Sequence, residues 1–160
     1  MKRYLPVLVL IALLVPVLAQ AGPVNGELTF SAAAFKPNDG GTSWSATGEY
    51  LIPLAGGPLL FGPSVSIFDG PGFDGGEFGV AGEVNFGKKC GPGFGGALHR
   101  PFGDAADSAD YTGEVRAFFK CGTEHAFVKF TGAQTWSKAA DGAVTDPDGT
   151  SFLGGVGWRF

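Results

Sequence analysis

From residue 27 onward, bulky apolar residues alternate with small or polar ones in segment after segment. A period of two belongs to a strand whose faces meet different surroundings. In Glu27–Phe35 (ELTFSAAAF) one face carries Leu28, Phe30, Ala32 and Ala34, and in 43–54 (SWSATGEYLIPL) it carries Trp44, Ala46, Gly48, Tyr50 and Ile52. Segment 59–68 groups Leu59, Phe61, Pro63, Val65 and Ile67, and 77–86 groups Phe78, Val80, Gly82, Val84 and Phe86. The next two are 93–102, with Phe94, Gly96, Leu98, Arg100 and Phe102, and 111–120, with Tyr111, Gly113, Val115, Ala117 and Phe119. Segment 125–136 carries Ala126, Val128, Phe130, Gly132, Gln134 and Trp136, and 151–160 carries Phe152, Gly154, Val156, Trp158 and Phe160. The pattern predicts an all-β chain of eight strands. Their lengths match the roughly 9 to 11 residues a tilted strand needs to cross a bilayer.

The connections add a second period. Segments 36–42, 69–76, 103–110 and 137–150 are long and polar, whereas 55–58, 87–92 and 121–124 are tighter. Alternating short and long links predict an up-and-down antiparallel barrel with its short turns at the end that holds both termini, the asymmetry of transmembrane barrels. A soluble barrel with an apolar interior shares the same period, so the opposite face decides. Ser31, Ala33, Ser45, Thr47, Gly62, Ser64, Ser66, Gly79, Ala81, Gly95, Ala97, Thr131, Ala133, Gly155 and Gly157 are mostly very small. Small residues suit the narrow interior of eight strands, and a water-facing wall would instead carry many Lys and Glu.

Position along the strands agrees with this. Trp44, Ile67, Phe78, Phe102, Tyr111, Trp136 and Phe152 lie toward the long-loop end, and Tyr50, Phe61, Phe86, Phe94, Phe119, Phe130, Trp158 and Phe160 toward the other. Two such sets approximate the aromatic girdles of a membrane barrel. Arg100 and Gln134 are the strongly polar members of the apolar face, and both fall near the long-loop end, where a bilayer interface tolerates them.

The start of the chain bears on location. Lys2 and Arg3 precede an apolar run from Leu5 to Leu18 and the small-residue stretch Ala19-Gln20-Ala21. This is the layout of a cleaved secretory signal, and the run is short for a helix that spans a bilayer. The expected organisation is a signal peptide over 1–21 and one barrel domain over 22–160. Without Lys2 and Arg3, 11 basic residues become nine against 15 acidic ones, a formal −6 that argues against nucleic acid as a partner.

With these features the chain resembles the small eight-stranded outer-membrane β-barrel proteins of Gram-negative bacteria, similar in architecture to OmpX and the OmpA membrane domain. The resemblance covers the whole stretch after the signal, and its most specific motif is SFLGGVGWRF. It implies location in the bacterial outer membrane, contact with its lipids and lipopolysaccharide, and an assembly signal at Trp158 and Phe160 read by the barrel-assembly machinery.

The same register turns Glu49, Glu77, Glu83, Glu114, Arg116, Lys120, Lys129 and Arg159 inward, with Asn85 and His99. Charges in so narrow a lumen need partners, which predicts an ion network, centred on Glu49, Glu83, Glu114, Arg116, Lys129 and Arg159, that fills it. A gated pore or proton path is the alternative. Cys90 and Cys121 fall at the short-turn end of one antiparallel hairpin, so a cross-strand disulfide is expected in an oxidising compartment.

Some membrane barrels act on lipids, which requires an activated nucleophile. His99 and His125 have no serine that the strand pattern brings to an exposed position beside them. The loop sequence DPDG at 146–149 lacks the spaced ligands of a calcium loop and reads as turn chemistry. The expectation is a monomeric, non-enzymatic barrel without cofactor or metal, with four loops free to meet a surface partner. The other readings are a lipid-modifying membrane enzyme and a soluble secreted barrel that binds an apolar ligand.

Overall fold

A computed structural model describes residues 26–35, 43–70, 73–87, 89–107, 109–138 and 149–160. The expected signal segment 1–21 and most of loops 36–42 and 137–150 lie outside the described residues. Eight strands form: β1 (Glu27–Phe35), β2 (Ser43–Pro53), β3 (Leu59–Gly70), β4 (Phe73–Asn85), β5 (Cys90–Gly103), β6 (Tyr111–Gly122), β7 (Ala126–Lys138) and β8 (Gly149–Arg159). Each pairs antiparallel with its neighbour in sequence, and β1 pairs with β8 from Glu27↔Arg159 to Ala32↔Gly154. The sheet is therefore a closed up-and-down barrel with no free edge.

The faces fall where the alternation put them. Phe61, Phe78, Phe86, Phe94, Phe119, Phe130, Phe152 and Trp158 are exposed on the outer face. Three ring pairs brace this face: Phe30–Trp158, Phe78–Phe102 and Phe86–Phe94, with centroids 6.4, 6.4 and 5.5 Å apart. Leu28 and Ile67 share the face yet are buried. Leu28 pairs with both Tyr50 and Trp158, and Ile67 pairs with Gly76, over which the Phe102 ring lies.

The expected long loop at 69–76 is different. β3 and β4 continue through Asp69↔Asp74 and Gly70↔Phe73, so only 71–72 separates them. The glycines of this stretch read as turn formers, but Gly75 and Gly76 lie in the ladder because neighbouring atoms leave no room for a side chain. A Cβ on Gly76 would come within 2.4 Å of the Phe102 ring and 2.6 Å of the Ser66 carbonyl. Strand β5 likewise starts three residues earlier than residue 93, at Cys90, and β6 runs on to Gly122. Turn composition thus concealed strand ends where glycine serves close approach.

The short connections sit at one end with Gly26 and Phe160, whose N–H donates to the Gly26 carbonyl at 3.0 Å. A 3₁₀ turn, Leu54–Gly56, links β2 to β3 and holds Ala55 at φ 51°, in the left-handed region. Between β6 and β7, Thr123 Oγ1 accepts from the Ala126 N–H at 3.1 Å, so a side chain caps the turn. At the opposite end a second 3₁₀ turn, Asp104–Asp107, follows Gly103, at φ 68°.

Candidate functional site

The interior of the barrel is where this chain concentrates its chemistry. Period two carries the inward residues, and antiparallel pairing sets their height along the axis. Arg116 and Lys120 come from β6, Lys129 from β7 and Arg159 from β8, while Glu27, Glu49, Glu77 and Glu83 come from β1, β2 and β4. Apart from Glu114 on β6, the first half of the barrel thus supplies the acids and the second half the bases.

At the short-turn end Glu27 faces two cations: it accepts from Lys120 Nζ, and Arg159 Nε donates to it at 2.9 Å. Arg159 also reaches the Thr123 carbonyl at 2.7 Å, tying β8 to the β6–β7 turn. In the middle stands Glu83, with its side chain 0% exposed. It bonds Lys129 Nζ and lies 3.5 Å from both Lys120 Nζ and Arg116 Nη1. Glu49 shares two of these cations, at 2.5 Å from Arg116 Nη1 and 3.3 Å from Lys129 Nζ. Higher up, Glu114 lies 3.2 Å from Arg116 Nε, and Glu77 holds His99 Nδ1 at 3.3 Å and the Thr112 hydroxyl at 2.5 Å.

Glu49, Glu83, Glu114, Arg116, Lys129 and Arg159 therefore belong to one linked chain of ion pairs, joined through Lys120 and Glu27. Glu27, Phe118 and Phe127 join the interior beyond the residues expected from the pattern, Glu27 because Leu28 on the outer face turns its predecessor inward. These rings face the interior, buried, with Lys120 Nζ 5.2 and 4.8 Å from their centroids, Lys129 Nζ 4.8 Å from Phe118 and the Arg159 guanidinium 4.8 Å from Phe127. Cations over aromatic faces keep an electrostatic partner where water is excluded.

Two glycines make the space for these rings. Gly93 pairs with Phe118 and Gly157 with Phe127, and a Cβ at either would lie 2.3 Å from the ring it faces. Aromatic residues covering cross-strand glycines are a recurrent way to fix register. Beside the network, between Ser31, Ser64, His99 and Arg116, a void of about 20 Å³ remains. That is room for about one water.

Cys90 and Cys121 are joined in a disulfide across a directly paired position, with Cα atoms 4.0 Å apart. It lies on the outer face at the short-turn end, and locks the β5–β6 hairpin. Trp158 and Phe160 are exposed on the outer face of the closing strand, as the alternation predicts. His125 lies exposed in the β6–β7 connection. Among the described residues no group of three or more His, Cys, Asp or Glu side chains could hold a metal ion. The loop residues 146–148 lie outside the described residues.

No family model matches this chain, and comparison with curated proteins and with solved structures finds no match. The closed barrel is an architecture that many unrelated functions share, so the site itself must carry the functional argument.

Proposed function

We propose that the protein is a non-enzymatic, monomeric integral barrel of a Gram-negative outer membrane, akin in architecture to OmpX, whose loops serve envelope integrity, adhesion or another surface contact. One observation carries this reading: the apolar side chains point out and the charges point in. Phe152 is 79% exposed and Phe86 and Phe130 are each 64% exposed, whereas Lys120, Lys129 and Glu83 are each 1% exposed. A soluble domain rarely leaves so extended an apolar surface in water, and a closed sheet is one of the few forms whose backbone is satisfied in lipid. The filled lumen favours a plug over a channel, and a polar interior offers little to an apolar ligand.

Four experiments test this. Expressed with its leader in a Gram-negative host, the protein should stay with the outer membrane after alkaline washing and migrate faster on a detergent gel before heating than after it. Recovery in the soluble fraction would overturn the reading. In planar bilayers the folded barrel should give no large, stable single-channel currents, and such currents would replace the plug with a pore. Incubation with labelled lipopolysaccharide should release no acyl chains, and release would favour a lipid-modifying enzyme instead. If the assembly machinery reads Trp158 and Phe160, Phe160→Ser should lower the inserted amount more than it lowers the stability of barrel refolded in detergent.

A further inference from the structure

The outer face is apolar around most of its circumference, but on β5 to β7 near the loop end it carries two exposed cations. Arg100 is the next outward residue after Leu98 on β5, and Lys138 pairs with Tyr111 across β6–β7. Both side chains are exposed, and neither has an ion-pair partner among the described residues. Tyr111, 48% exposed, stands on the strand between them. Since they flank one intervening strand, the two cations lie roughly 10 Å apart across the sheet.

Immediately toward the short-turn end, the wall sinks. Gly113 pairs with Leu98 on one side and Trp136 on the other, and a Cβ on it would meet nothing within 4 Å. The result is a hollow of about 370 Å³ bordered by Leu98, Tyr111, Trp136 and Lys138, with Gly113 as its floor. Its walls are apolar, and its loop-side rim is positive.

We infer that this hollow binds a net-anionic phospholipid, with the phosphate between Arg100 and Lys138 and an acyl chain in the trough above Gly113. The inference rests on the membrane reading above, because the loop end of the apolar belt is then the level at which lipid headgroups lie. Arg100 can hold two phosphate oxygens through its planar fork, Lys138 contributes a point charge, and the Tyr111 hydroxyl can donate between them. The apolar trough below gives the site what a free anion cannot use. A zwitterionic phospholipid could fill the trough, but its own ammonium group would offset its phosphate and weaken its hold on the two cations.

Trp136 makes the site observable. In a Trp44→Phe/Trp158→Phe background it is the remaining tryptophan, and acyl chains brominated near the headgroup quench it on contact. The refolded protein is titrated, in vesicles of phosphatidylcholine, with brominated phosphatidylglycerol or brominated phosphatidylcholine. Phosphatidylglycerol should reach half-quenching at the lower mole fraction, and Arg100→Gln or Lys138→Gln should each raise that fraction about fivefold. Gly113→Leu should reduce quenching by both lipids. Millimolar inorganic phosphate should leave the titration unchanged, and displacement by it would reduce the site to an ion site. Equal half-points for the two lipids, or no effect of either cation variant, would overturn the inference. Heat-modifiable migration and insertion into the same vesicles are recorded for every variant. A protein that inserts but shows no headgroup preference defeats this site alone, whereas one that fails to insert defeats the membrane reading itself.

Discussion

At the short-turn end of the barrel Phe118 and Phe127 lie against glycines, with Lys120, Lys129 and Arg159 over their rings. Toward the loop end the same eight strands enclose Ser45, Thr47, Ser66, Ala33 and Ala133. Near the short-turn end the space is taken by a few long side chains, each depending on a particular partner. Near the loop end short ones predominate around the single Glu77–His99–Thr112 group, with the Thr47 and Ser66 hydroxyls 2.9 Å apart. A narrow tube can be filled either way, but the two fillings differ in what a single deletion leaves behind. Removing a long charged residue strands its partners, whereas removing a hydroxyl strands one weak group.

The largest expected effect follows from Glu83. Glu83→Ala leaves Lys129, Lys120 and Arg116 facing one another with less counter-charge, and should lower the unfolding free energy by about 3 to 5 kcal/mol. Equilibrium urea unfolding of the refolded barrel in detergent measures it, and a loss below about 1 kcal/mol would erase the special standing of the ion network. Next comes the disulfide, which spans 31 residues. Replacing both Cys90 and Cys121 by Ala should cost roughly 3 to 4 kcal/mol in the chain-entropy model, and reductant should impose the same shift on the parent but none on the double variant.

Ser66→Ala probes the loop-end filling and should cost only about 1 kcal/mol, the worth of one neutral hydrogen bond. A loss as large as that of Glu83→Ala would show that the two fillings are equally demanding. The smallest effect has the opposite sign. Ala55 pays a steric penalty at φ 51°, so Ala55→Gly should stabilise the barrel by up to about 1 kcal/mol in the same assay. Destabilisation there would mean that the methyl group packs against something more valuable than the strain it causes.

Much of this barrel is legible in the sequence because its two faces differ in size as well as polarity. Phe78, Val80 and Val84 alternate with Gly79, Ala81 and Glu83, so β4 declares its period and its inner face at once. The cysteines were legible for the same reason, since register alone brings 90 and 121 opposite each other. What stayed hidden depends on partners remote in sequence. Phe118 and Phe119 are adjacent and equally apolar, and only the space left by Gly93 explains why one ring can turn into a polar interior. The stretch 69–76 was obscured differently, since glycine serves tight turns and crowded ladders alike and composition cannot separate them.

The distribution of interior charge along the chain has a consequence for assembly. Glu27, Glu49, Glu77 and Glu83 belong to β1–β4, and Arg116, Lys120, Lys129 and Arg159 to β6–β8. The inner face of the N-terminal half is therefore lined by carboxylates and that of the C-terminal half, Glu114 apart, by cations, so each half repels its own copy and attracts the other. Two N-terminal halves that met edge to edge would gather their carboxylates without a cation, and two C-terminal halves would gather ammonium and guanidinium groups with only Glu114 from each to offset them. The lumen thereby acts as a mating code: it rewards closure of a chain upon itself, or of complementary fragments upon each other, and penalises the exchange of like halves between neighbouring chains.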